Sequence, residues 1–194
     1  MAYDILKVLH VLTFVFMSVP FFNLIVVNER AAMGSAFNFG TDRYFENIIG
    51  HGAGRCFMFQ LSALMTGLLL LVYGPLGISG LWANPVILSK TLLLFVLTGL
   101  LSYVHLRLQP RIESVLRSVT PDQPAPKGIM AQLKPHRMRR KKMATLCLFL
   151  ILVIILLGLQ VYRTFSAALN AALVILAALF AWRANKTLLR FGWF

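Results

Sequence analysis

Residues 86 to 108, VILSKTLLLFVLTGLLSYVHLRL, decide the fold. About 20 apolar residues at ~1.5 Å rise each cross a hydrocarbon core, so this run reads as a transmembrane helix. It carries Lys90 near its start and His105 near its end. Ionisable groups in such a helix are costly, and each is a candidate functional residue that needs a partner.

The rest of the chain follows the same pattern. It has 194 residues, is 59% hydrophobic and has a mean hydropathy of +0.78, which places it among polytopic α-helical membrane proteins. Five helices and their connections account for the length, with no separate soluble domain expected. They read as a four-helix core plus one, at about 5–28, 51–73, 86–108, 143–162 and 167–182. Residues 109 to 142 form a basic connection interrupted by Pro110, Pro121, Pro124, Pro126 and Pro135. The first apolar run starts at Ile5 without a basic leader or small-residue cleavage site, so a retained helix is expected rather than a signal peptide. Helix 5 is rich in small residues and suited to close packing.

Charge gives the orientation. Of 19 lysines and arginines, five crossings leave Lys7, Lys90 and Arg163 on one side and the rest, including RMRRKK at 137–142, on the other. Cytoplasmic loops carry the excess of basic residues, so the N-terminus is expected outside and the C-terminus in the cytoplasm, in a bacterial-type inner (plasma) membrane. The basic connection suits anionic lipid headgroups, or serves only as an orientation signal. Nucleic acid is not expected, because no aromatic platform or known module accompanies the charges.

This topology sorts the histidines by depth. His10 and Lys90 fall toward the outer side, while His51, Arg55 and His105 fall toward the inner. Lys90 and His105 are about 22 Å apart along one helix, too far to share a small ligand. Imidazoles on facing helices are the usual axial ligands of b-type haem, and His51 and His105 lie on adjacent antiparallel helices at similar depth. Arg55, one turn from His51, suits a haem propionate. Gly50, Gly52, Ala53 and Gly54 would admit a flat macrocycle. The bland alternative puts His51 in a glycine-rich loop and His105 at a solvated interface beside Arg107. For His10 the alternative is a core histidine bonded to a backbone carbonyl.

Several motifs resemble a family. LKVLHV at 6–11, SKTLLLFVLTGLLSYVHLRLQPRI at 89–112 and the basic Arg55 at the start of helix 2 resemble HemJ-type membrane protoporphyrinogen oxidases and the related CopD-type copper-resistance membrane proteins. The resemblance implies haem binding at His10, with Lys90, Arg55 and His105 as further pocket residues, and an oxidoreductase of the protoporphyrinogen oxidase type. Helix 5 and the long basic connection depart from that family's pattern.

Other chemistry is not expected. No HExxH, GxSxG, P-loop or CxxC motif occurs. Cys56 and Cys147 sit in apolar helices and read as packing. The acidic residues, Asp4, Glu29, Asp42, Glu46, Glu113 and Asp122, read as loop or helix-end residues, which argues against a proton-driven transporter and against hydrolysis. Copper handling lacks a Met/His/Cys cluster on the outer side. The leading expectation is a haem b protein acting in electron transfer or porphyrinogen oxidation. The alternative is a non-catalytic accessory subunit of a larger membrane complex. Expected partners are the bilayer, other membrane subunits or further copies of the same chain.

Overall fold

The computed structural model describes residues 1–28, 37–119 and 128–186. They form α1 (Ala2–Asn28), α2 (Phe39–Tyr73), a short α3 (Gly80–Ala83), α4 (Pro85–Tyr103), a π-helical segment (Val104–Leu108), α5 (Gln109–Arg117), α6 (Ile129–Gly158) and α7 (Ala167–Lys186). The described residues contain no strand. Five helical stretches are long and apolar enough to cross a membrane: Tyr3–Asn28, Phe39–Tyr73, Pro85–Arg117, Ile129–Gly158 and Ala167–Lys186.

Local chemistry sets the helix starts. Asn38 caps α2 by accepting from the Thr41 amide at 3.0 Å. Asn84 caps α4 by accepting from Val86 and Ile87, and Pro85 behind it supplies the pre-set φ of a first helical residue. Gly128 precedes α6 with φ +91°, a conformation that L side chains rarely adopt.

The core runs along one stripe of each helix. Phe14, Met17, Phe21 and Ile25 of α1 meet Cys56 and Ala63 of α2, Leu94, Leu97 and Leu101 of α4, and Ala144, Cys147, Leu148, Ile151 and Ile154 of α6. Spacings of three and four put each set on one helical face. α7 turns the small residues Ala177, Ala181 and Ala184 inward and packs mainly on α6. Many large apolar side chains, among them Val8, Leu12, Val15, Leu69 and Phe95, face outward, which lipid tails tolerate because they are equally apolar.

Two boundaries differ from the sequence reading. α2 begins at Phe39 rather than near residue 51, so His51 lies about three turns inside a helix and not in a loop. α6 begins at Ile129, taking Pro135 into its first turns, and α5 fills much of the remaining connection. The segment read as a long basic loop is therefore largely helical. Its apolar side is real: Ile112, Leu116 and Val119 pack on Ile129 and Leu133 as a second small core. Hydropathy tracks apolar runs, whereas these helix extensions are held by paired charges. Of the breakers, Pro121, Pro124 and Pro126 lie outside the described residues.

The bundle has a basic end, where α1 stops and α2 and α6 start, and an opposite end. At the opposite end Tyr3 hydrogen-bonds Tyr162 at 2.6 Å, and Asn84 Nδ2 donates to the Val161 carbonyl at 3.3 Å.

Candidate functional site

A cleft of about 520 Å³ opens toward the basic end between α1, α2 and α4. Its walls include Pro20 and Asn23 from α1, Asn47, His51, Arg55 and Cys56 from α2, and Leu101, Val104, His105 and Gln109 from α4 and the segment beyond it. The volume is that of a site for a drug-sized ligand or cofactor. Three of the five residues singled out from sequence, His51, Arg55 and His105, therefore share one cleft.

Each is held differently. His51 is exposed, and its Nδ1 lies 2.8 Å from the Asn47 carbonyl oxygen one turn back. That oxygen can only accept, so Nδ1 is the donor, and in the neutral ring Nε2 would carry the lone pair. A backbone carbonyl accepting from the far ring nitrogen is the usual arrangement for a metal-ligating imidazole. Arg55 is exposed, one turn further along the same helix. His105 is half-buried with its ring edge against Phe57, centroids 6.0 Å apart. Its Nδ1 is buried and has no hydrogen-bond partner. A buried polar atom left unpaired is costly and calls for a ligand, a metal or water.

His105 sits in the π segment, and Pro110 explains that segment. Pro110 has no N–H to give Leu106, and its ring would crowd that carbonyl in a regular α-helix. Widening the preceding turn to π geometry relieves the crowding and re-aims the side chains at 104–108.

His10 and Lys90 do not line this cleft; they lie in the opposite half of the bundle. His10 Nδ1 is 2.8 Å from Thr66 Oγ1, and its ring stands edge-on to Phe14. The hydroxyl already donates to the Ser62 carbonyl, so the imidazole nitrogen's partner is a side chain rather than the backbone carbonyl expected. Gly67 makes room for the ring: a Cβ there would fall 3.3 Å from Cε1. Lys90 is half-buried within electrostatic range of His10 and reaches toward Gly158, where an added Cβ would lie 3.4 Å from Nζ.

The polar feature that sequence reasoning missed adjoins the cleft. Asp42 and Glu46, expected in loops or at helix ends, are 0% and 1% exposed on the inner face of α2. Arg137 and Arg140, read as part of the basic connection that faces lipid headgroups or only sets orientation, are 3% and 0% exposed on α6. Arg137 Nη1 donates to Asp42 at 2.7 Å and its Nε to Glu46 at 3.1 Å. Arg140 spends all five N–H groups: two on Glu46 (2.6 and 3.0 Å), two on Asn28 Oδ1 (3.0 and 2.9 Å) and one on Gln109 (2.6 Å). Gln109 in turn donates to Glu46 and Glu113, and Glu113 accepts from Arg43 at 2.8 Å. The clue in sequence was spacing: Asp42 and Glu46 at i, i+4 face Arg137, Arg140 and Lys141 at i, i+3, i+4. Gln109 belongs to both the network and the cleft wall, so the clamp fixes one side of the site.

Among the described residues no three His, Cys, Asp or Glu side chains gather as a metal site. In the cleft, the groups able to hold a metal are the imidazoles of His51 and His105 and the buried thiol of Cys56. No family model matches the chain, and neither a curated protein nor a solved structure matches it significantly. The likeness to HemJ- and CopD-type proteins rests on the quoted motifs alone.

Proposed function

We propose that this multi-pass membrane protein binds haem b in the cleft between α1, α2 and α4 and has a redox role, in electron transfer or porphyrinogen oxidation. The observation that carries the reading is the meeting of His51, Arg55 and His105 on one cleft, with the His105 Nδ1 buried and unpartnered. The donor set fits the group: the imidazoles of His51 and His105 would hold its iron and the Arg55 guanidinium would pair with a propionate. Haem, when bound, supplies one-electron chemistry. The chain's own residues bind and orient it. His51 presents Nε2 because Asn47 holds its other nitrogen. Arg55 neutralises an acidic group at the mouth. Gln109, fixed by Arg140, keeps the cleft wall in place.

The same reading puts the basic end in the cytoplasm and the N-terminus outside, in a bacterial-type inner membrane, and the one-sided distribution of lysine and arginine supports that orientation. Haem content of the purified chain, compared with that of His105→Ala, tests the binding reading; equal haem in both would remove the cleft as its site.

An accessory, non-catalytic subunit is the second reading. In its favour, the largest polar feature is a sealed clamp joining α1, α2, α6 and the Gln109 region, which serves architecture rather than chemistry. Haem-free protein that co-purifies stoichiometrically with specific membrane subunits would favour it.

A further inference from the structure

Among the described residues, the buried network takes up the acids of the basic end and leaves several exposed cations there without an ion pair to a described acid. Asp42, Glu46 and Glu113 are committed to the network, and Asp4 lies at the opposite end beside the N-terminal amine and Lys7. RMRRKK is split: Arg137, Arg140 and Lys141 turn inward, while Arg139 and Lys142 stay exposed. Arg139 is not loose. Its guanidinium lies 5.3 Å from the centre of the Tyr103 ring, across from α6 to α4. Arg107, exposed and without an ion pair among the described residues, is one turn beyond Tyr103, and Leu106 beside it is exposed as a lipid-facing side chain would be. Tyr103 lies about 27 Å along the helical stretch from Pro85, close to one hydrocarbon thickness, and tyrosine is enriched at that boundary, so this pair of guanidiniums suits headgroup level.

We infer that Tyr103, Arg107 and Arg139 form a seat for the phosphodiester of an anionic phospholipid, at the basic end where α6 crosses the junction of α4 and the π segment. Two guanidiniums offer the forked donors that phosphate oxygens take, and the Tyr103 ring pre-orders one of them. The acyl chains would lie along the exposed apolar surface of α4, where Leu92, Phe95 and Val96 face outward. The seat differs from a diffuse basic field in that its strength depends on the Tyr103 ring, which carries no charge. It does not depend on what occupies the cleft.

The test uses the full chain reconstituted in phosphatidylcholine bilayers and titrated with a fluorescent phosphatidylglycerol. At roughly fivefold in affinity per cation near an anionic surface, Arg107→Gln with Arg139→Gln should weaken the tracer about 25-fold. Tyr103→Leu should weaken it severalfold at unchanged charge, and Tyr103→Phe should restore it. Arg117→Gln with Lys134→Gln, which removes two other exposed cations, should have a much smaller effect. Equal losses from the two double variants, or no response to Tyr103→Leu, would overturn the seat in favour of general attraction. Displacement of the tracer by soluble glycerol phosphate would overturn it in favour of a free-phosphate site.

Discussion

Arg140 grips Glu46 with both arms of its guanidinium, Nη1 to Oε2 at 2.6 Å and Nη2 to Oε1 at 3.0 Å, joining α6 to α2 in a place where neither side chain touches water. Breaking a buried pair leaves an uncompensated charge, so Arg140→Ala should lose about 3–5 kcal/mol of stability. Arg140→Lys keeps the charge but abandons the five-donor fork that also serves Asn28 and Gln109. It should still lose about 1–3 kcal/mol. Unfolding in detergent by a chemical denaturant measures both, and a silent Arg140→Ala would remove the clamp from the account.

Gln60 makes the opposite prediction. It is 4% exposed in the middle of the core, with neither amide atom hydrogen-bonded. Replacing an unsatisfied buried amide by an apolar group of similar size removes a desolvation cost of about 1–3 kcal/mol. Gln60→Leu should therefore raise the unfolding midpoint. A lowered midpoint would mean that Gln60 has a partner in the folded protein.

Pro110 acts on the cleft from outside it. Pro110→Ala supplies the missing N–H and removes the ring, so the 104–108 segment can relax from π toward α geometry and turn His105 away. Haem content should fall while helicity by circular dichroism stays. Unchanged haem would show that the π segment does not aim His105.

Gly67 separates the two halves of the bundle. Gly67→Val pushes a branched side chain into the His10 ring and should cost about 1–3 kcal/mol through overpacking. Because His10 does not line the cleft, haem content per folded protein should be unchanged. Its loss would return the site to His10, where the family resemblance places it.

The five apolar helices were legible because a span of lipid leaves a continuous apolar run. The grouping of His51, Arg55 and His105 was legible because depth follows from topology and helical rise. Asp42, Glu46, Arg137 and Arg140 were not legible as core, because each sits in a charged stretch and its partners lie about a hundred residues away in sequence. Charges that satisfy one another extend a helix beyond its apolar run, which is why α2 and α6 begin well before hydropathy rises. The separation of His10 from the cleft was already implied by its depth, but Thr66 and Gly67 as its neighbours became visible only in the packed bundle.

A reduced-minus-oxidised absorption spectrum of the detergent-purified chain, recorded beside His51→Ala, His105→Ala and His10→Ala, decides whether the cleft holds haem. A sharp α-band of low-spin haem b is expected, lost in the first two variants and kept in the third. A flat spectrum from folded protein, or a band lost only in His10→Ala, would contradict it.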